Sequence, residues 1–112
     1  MGTWRTSWRR YKYFLKFLIG TFHWSDGREY RGDFKNGEFD GHGVHTWPGG
    51  KKRYEGEYRG GKKSGYGVFT NENGARYEGN WANGKMSGSG KQYNKEGVLS
   101  KEGTWKDGTY VN

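Results

Sequence analysis

The sequence predicts an all-β protein, an elongated and twisted antiparallel meander built from repeated β-hairpins. Three observations carry this prediction. An eight-residue unit occurs four times at intervals of 23 or 24 residues, two glycine-containing turn signals fall within each interval, and aromatic and charged residues alternate between the turns. A fixed period of this length is typical of a repeat array in which each unit packs against its neighbours.

The repeated unit begins with an aromatic strand and ends in a turn. Its copies are residues 30–37, 54–61, 77–84 and, with weaker agreement, 101–108. Each copy ends in a pair such as Asn36-Gly37, and a second turn signal such as Asn73-Gly74 precedes the next copy. Since these pairs tolerate the positive φ angles of tight hairpins, we expect strands that run back and forth without crossovers.

Alternation along the strand assigns its two faces. Tyr30, Gly32 and Phe34 point one way, while Arg31 and Asp33 point the other. The later copies follow the same rule, so one face of the predicted sheet is aromatic and glycine and the other is charged. Glycine weakens a strand, and a ring laid over the bare backbone compensates for that loss.

The composition is compatible with a folded domain, although the chain has few aliphatic residues. Leu, Ile, Val and Phe make up only 14 of 112 residues, and the formal net charge is +8, a combination typical of disorder. However, aromatic residues form 19% of the chain and the 22 glycines recur at fixed offsets. We therefore expect a folded domain whose core consists of aromatic rings.

The first 19 residues differ from the rest, because they carry five basic residues and no acid. We therefore divide the chain into a basic aromatic N-terminal segment, residues 1–19, and a repeat sheet, residues 20–112. The sheet is subdivided into a half-repeat at 20–29, repeats at 30–53, 54–76 and 77–100, and a partial repeat at 101–112.

Three interpretations of residues 1–19 remain open. They form a terminal cap of the array, a targeting segment, or a lipid anchor. The anchor interpretation rests on the start of the chain, which fits the pattern for N-myristoylation at Gly2. Basic residues that would contact anionic phospholipid follow: Arg9, Arg10, Lys12 and Lys16.

We find little sign of catalysis or metal binding. His42 and His45 are three residues apart on a predicted strand and so project to opposite faces, which suits no single metal ion. The Gly-x-Gly steps, such as Gly41-His42-Gly43, precede no helix pattern and are assigned to hairpins. The chain contains no cysteine. We therefore expect no enzyme activity, no metal and no cofactor.

Nucleic acid is a weaker alternative as a partner. Basic residues are mixed with aromatic residues, which is typical of single-strand binding. However, residues 20–112 also carry all 12 acidic residues, and the sheet needs the rings for its core. We therefore expect nucleic acid not to be the partner.

The repeat pattern Y-x-G-x-[FYW]-x-x-G-x-x-x-G-x-G resembles the MORN (membrane occupation and recognition nexus) repeat family. The match runs through Tyr30, Gly32, Phe34, Gly37, Gly41 and Gly43, and it recurs from Tyr54 and from Tyr77. The resemblance implies a twisted antiparallel sheet with a shallow groove that serves as a non-catalytic interaction module.

The resulting functional prediction is a binding or scaffold module within a larger assembly. We expect it to engage a protein partner through its sheet edges or through an aromatic–glycine groove edged by Tyr30, Phe34, Tyr54, Tyr58, Tyr77, Trp81 and Trp105. The alternative is a peripheral membrane adaptor that binds anionic phospholipid through its basic N-terminus. We also expect self-association through the C-terminal sheet edge. The expected location is intracellular, cytoplasmic or cytoskeletal, with membrane association and organellar targeting as alternatives.

Overall fold

The protein is a single antiparallel sheet in which every strand pairs with its neighbours in sequence. The computed structural model describes residues 2–6 and 17–112. In these residues there are ten strands: β1 (Gly2–Thr6), β2 (Phe17–Trp24), β3 (Glu29–Lys35), β4 (Glu38–Thr46), β5 (Arg53–Arg59), β6 (Lys62–Thr70), β7 (Arg76–Ala82), β8 (Lys85–Tyr93), β9 (Leu99–Lys106) and β10 (Thr109–Tyr110). A short 3₁₀ turn, Pro48–Gly50, separates β4 from β5. The elongated meander is confirmed, and it measures 47 × 27 × 20 Å.

The tight turns have the predicted geometry. Asn83 and Gly84, which connect β7 to β8, have φ angles of 52° and 84°. Two consecutive positive φ angles define the type I′ turn, whose twist matches that of the flanking strands. The other turns of this set have the same pair of positive φ angles. The turn residues therefore determine where every second reversal of the chain occurs.

Glycines form a continuous row across the sheet. Paired residues in successive strands from β2 to β9 are all glycine: Gly20, Gly32, Gly43, Gly56, Gly67, Gly79, Gly90 and Gly103. Directly paired residues share a face. The row is therefore a shallow trough in the backbone on one side of the sheet.

Tyrosine rings fill this trough. A side chain added at Gly43 would collide with the Tyr30 ring, one at Gly67 with the Tyr54 ring, and one at Gly90 with the Tyr77 ring. Each tyrosine hydroxyl donates to the main-chain carbonyl three residues ahead; for Tyr54 this acceptor is Glu57, at 2.9 Å. The ring therefore lies flat over glycine backbone while its polar end is satisfied.

The core is one continuous line of rings on this face. Rings four residues apart in one strand and rings of neighbouring repeats meet edge to face, with centroids 5.0–5.4 Å apart. Contacts of this kind contribute about 0.5–1.5 kcal/mol beyond the area they bury. The seven members, here called the core rings, are Tyr30, Phe34, Tyr54, Tyr58, Tyr77, Trp81 and Trp105.

The Gly-x-Gly steps are bulges within strands rather than parts of the hairpin turns. The pairing of β3 with β4 shifts between Gly32 and Phe34, and Gly41, opposite this shift, has a φ of 99°. The Asp33 carboxylate accepts a hydrogen bond from the freed main-chain N–H of His42, at 3.0 Å. The same shift recurs between β5 and β6 and between β7 and β8. The steps therefore lie in strands of the predicted hairpins, whereas the bulges at these steps were not predicted, because a bulge depends on the register between two strands.

The two ends of the sheet are built differently. Strand β1 pairs with β2 from Gly2 opposite Trp24 to Thr6 opposite Gly20, and β2 begins at Phe17, before the predicted start of the sheet. At the other end β10 pairs with only two residues of β9, and the N–H of Val111 donates to the carbonyl of Thr104 at 2.8 Å. The outer edge of β9 from Leu99 to Gly103 is not paired with a strand in the described part of the chain.

Candidate functional site

The seven predicted groove residues are the core rings. All are buried, and the most accessible, Trp81, is 8% exposed. The Trp81 indole N–H donates to the carbonyl of Gly67 at 3.1 Å, so even its polar atom is satisfied within the sheet. In this structure the accessible part of the aromatic face is formed by the residues that cover the core rings.

A second layer of partly exposed rings lies over the core rings. We call these residues the outer rings: Phe22, Trp24, Phe39, Trp47 and Phe69. Phe39 stacks on Tyr30 with centroids 3.7 Å apart and planes 9° apart. Phe69 meets Trp81 and Trp47 edge to face, at 6.3 and 6.2 Å. This layer completes the burial of the core and exposes its own outer surface.

Two tryptophans enclose a histidine at one end of this layer. The His45 ring stacks on Trp47 at 4.1 Å and on Trp24 at 5.1 Å, with planes 11° and 9° apart. By repeat spacing, Trp24 and Trp47 occupy the turn position that holds Asn71 and Asn94 later in the chain. The main-chain N–H groups of Trp24 and Asn71 each donate to the carbonyl four residues ahead, whereas that of Trp47 donates to Lys52, five residues ahead. The tryptophans therefore add a surface feature that the turn itself does not require.

His45 is held neutral in this stack. Burial, together with the cationic Lys63 and Arg28, lowers the pKa of His45 from 6.5 to about 4. Its Nε2 atom is buried and makes no hydrogen bond with the described residues. The imidazole therefore acts at neutral pH as a flat, uncharged ring between two indoles.

Cations lie over several rings of the aromatic face. The Arg28 guanidinium is 4.7 Å from the Trp24 ring and the Lys52 ammonium is 5.5 Å from the Trp47 ring. Lys63 is 5.3 Å from the Tyr54 ring and 5.6 Å from the Trp81 ring. Attraction between a cation and the ring quadrupole contributes about 0.5–2 kcal/mol. The accessible part of this face is therefore both aromatic and positively charged.

The opposite face carries the strand carboxylates in ion pairs. His42 lies 3.4 Å from Glu55 and 3.3 Å from Glu57, and Arg53 lies 2.8 Å from Glu55. The hydrogen bond from Arg53 holds the pKa of Glu55 below its usual value. His42 and His45 thus project to opposite faces, as predicted. In the described residues no three His, Asp or Glu side chains are grouped to hold a metal ion.

An open depression of about 590 Å³ lies on this charged face. Its walls include both acids and bases, and Glu102 lies 3.9 Å from Lys91. Its lining side chains include Tyr66, Glu78, Asn80, Ser89, Lys91 and Glu102. The depression is wide and lined mainly by polar side chains.

The predicted lipid-contacting residues are only partly within the described structure. Gly2 begins β1, where it pairs with Trp24. Arg9, Arg10, Lys12 and Lys16 lie outside the described residues. No helix in the described part of the chain has the length and apolar character needed to cross a membrane.

Sequence reasoning missed Trp24, His45, Trp47 and Lys63 as candidate site residues. The signal was present in the repeat itself, because each of them departs from the residue type at the equivalent position of another repeat. Agreement among repeats marks the core, whereas departure from the repeat marks the accessible part of the aromatic face.

Comparison with known families agrees with the architecture. A family model for the MORN repeat matches residues 30–52, 54–76 and 77–97, together more than half of the chain. A search of curated proteins gave no significant match.

Proposed function

The chain belongs to the MORN-repeat family, and from this premise we propose that it is a non-catalytic module that binds a protein partner as part of a larger assembly. MORN repeats are generally protein- or membrane-binding modules. We assign the contact to the outer rings, whose exposed edges continue the aromatic face outward; the buried His45 ring stacks between two of them. The core rings hold this surface in place, and their own participation in binding stays a prediction.

The observation that carries the proposal is the pair Trp24 and Trp47. Tryptophan is enriched among the residues that dominate binding energy at protein interfaces. Both are partly exposed, and both stand at a repeat position that holds asparagine in the later repeats. Part of each ring packs against its aromatic neighbours, but asparagine suffices at the equivalent positions of later repeats, so we infer that the exposed part of each tryptophan contacts another molecule.

The test removes this feature without disturbing the turn. We expect the double variant Trp24→Asn and Trp47→Asn to fold, because asparagine occupies the equivalent positions 71 and 94 of later repeats, but to melt at a lower temperature than the wild type, because Trp24 packs against the core rings. A protein captured from a lysate by the wild type is identified, produced in pure form and titrated calorimetrically. Loss of two interface rings should weaken its binding at least about tenfold.

The matched control is Tyr66→Asn, which removes a ring that is 56% exposed on the charged face. Binding that survives the double variant but is lost in Tyr66→Asn would move the contact to the charged face and refute the proposal. Binding of anionic vesicles in place of any protein would favour the membrane-adaptor alternative. Replacement of Arg9, Arg10, Lys12 and Lys16 by glutamine, which leaves strands β1 and β2 in place, then tests whether the basic segment is responsible.

The unpaired edge of β9 is a second proposed contact, and it favours self-association. Val98, Leu99 and Val111 are 58%, 45% and 53% exposed near this edge. Exposed strand edges pair readily with other strands, and a lysine placed on them opposes such pairing. Sedimentation of the wild type should therefore depend on concentration, and that of Leu99→Lys should not; a monomeric wild type at every concentration would contradict this.

A further inference from the structure

Lys63 occupies a position that other hairpins fill with an apolar side chain. Phe39, Lys63 and Met86 follow one another at intervals of 24 and 23 residues. Their main-chain carbonyls accept equivalent hydrogen bonds, from the turn N–H groups of Gly61, Gly84 and Gly108, at 2.9, 3.0 and 2.9 Å. The three residues are therefore structurally equivalent, and Phe39 and Met86 both pack against the core rings.

The Lys63 ammonium has no counter-ion among the described residues. The ammonium lies over the faces of the Tyr54 and Trp81 rings, and burial lowers the pKa of Lys63. By strand alternation the nearest strand carboxylates, Glu55 and Glu57, project to the other face, where His42 pairs with both. Withdrawing an ammonium from water is unfavourable unless an anion compensates for it.

The surroundings of Lys63 define the kind of anion that it suits. An ammonium that is already partly desolvated gains more from an incoming carboxylate than an exposed one does. Aromatic and apolar side chains, including Phe69 and Met86, lie on the same face and offer contact to apolar neighbours of that carboxylate. A single side chain can reach a half-buried ammonium, whereas a flat lipid surface meets the fully exposed cations first.

We propose that Lys63 is the anion-recognition residue of the aromatic face and pairs with an aspartate or glutamate of a partner segment whose neighbouring residues are apolar. The proposal rests on the proposed function, since it names the chemistry of the partner that the outer rings bind. It also explains why this hairpin has a lysine at position 63, where an apolar side chain would stabilise the fold more.

The test exchanges Lys63 for the residue of the equivalent position, Lys63→Met. The matched control is Lys62→Met, which makes the same charge change on the adjacent residue of β6, whose side chain lies on the charged face. The probes are an array of synthetic 12-residue peptides rich in leucine and phenylalanine, in which glutamate or glutamine occupies each position in turn. Vesicles of phosphatidylserine are measured in parallel.

We expect Lys63→Met to melt no lower than the wild type. The wild type and Lys62→Met should bind the best glutamate peptide about 10- to 100-fold more tightly than its glutamine counterpart, the range of a charge-assisted hydrogen bond. In Lys63→Met this preference should disappear while the affinity for the glutamine peptide is unchanged.

Other outcomes overturn the inference in distinguishable ways. Equal binding of glutamate and glutamine peptides, still lost in the double tryptophan variant, would leave the proposed function intact and refute the role of Lys63. A wild type that binds none of the peptides would count against both. If vesicle binding depends on Lys63 and the peptides show no preference for glutamate, the anion that Lys63 recognises is a lipid phosphate. That result would refute a protein carboxylate as its partner.

Discussion

Replacement of Gly67 by alanine tests the packing of ring over glycine on which the sheet depends. The new methyl carbon would collide with the Tyr54 hydroxyl and lie 2.5 Å from two carbons of its ring. Since carbon atoms rest about 3.5–4.0 Å apart, the ring must retreat by about 1 Å. Alanine is otherwise the better strand residue, by about 0.5–1 kcal/mol.

The cost follows from what holds the Tyr54 ring. Its hydroxyl bond to Glu57 is worth about 1 kcal/mol. Its edge-to-face contacts with Tyr58 and Trp81, at 5.2 and 5.3 Å, are worth about 0.5–1.5 kcal/mol each. Loss of all three contacts costs about 3 kcal/mol, which less the strand gain of alanine gives a net loss of about 2 kcal/mol. For a domain of this size the melting temperature should fall by about 10 °C.

Urea unfolding followed by tryptophan fluorescence measures this loss, and a double-mutant cycle supplies the control. In a Tyr54→Leu background the smaller side chain leaves room above Gly67, so Gly67→Ala should be neutral or stabilising there. An unchanged or higher stability of Gly67→Ala in the wild-type background would refute the packing argument, and an equal loss in both backgrounds would assign it to the backbone alone.

Two further predictions concern buried polar atoms of the aromatic face. The Tyr58 hydroxyl is buried without a hydrogen-bond partner in the described residues, and Phe34 stands at the equivalent position; Tyr58→Phe should therefore raise the free energy of unfolding by about 1 kcal/mol in urea titrations, and a loss of stability would reveal a partner for the hydroxyl. His45 has a pKa of about 4 when folded against 6.5 ordinarily, so the unfolded chain takes up its proton first and stability should fall as the pH drops from 6.5 to 4. The loss is on the order of 3 kcal/mol, and His45→Phe, which copies Phe22 and Phe69, should remove it; an equal pH dependence in the variant would contradict the assignment.

The fold follows from the sequence to the extent that the glycine and tyrosine offsets determine it. The spacing of Tyr30, Tyr54 and Tyr77 predicts the meander, and alternation predicts which face each side chain takes. Alternation does not show how deeply a side chain is buried, however. It places Tyr58 and Trp81 on the aromatic face but cannot tell that other rings cover them, because that depends on how side chains of neighbouring repeats overlap.

The candidate site was less predictable, because its residues differ from those at the equivalent positions of other repeats. Trp24, Trp47 and Lys63 each break the repeat, and the sequence alone shows that they differ without showing what surrounds them. Alternation places Glu55 and Glu57 on the charged face, but the position of Lys63 opposite Tyr58, on the aromatic face, follows only from the strand register beyond the bulge. The bulges at Gly41 and Gly65 depend on register in the same way.

The glycine row also predicts which strands should unfold first. Because the sheet has a single layer of core rings, each repeat shares buried surface only with the repeats beside it, and its stability is a sum of neighbour terms. At Lys101 the last copy lacks the tyrosine that covers the row, and there the Tyr110 ring and main-chain atoms of Asn112 cover Gly103 instead. Amide hydrogen exchange should therefore be faster in β9 and β10 than in the central strands β5 to β7.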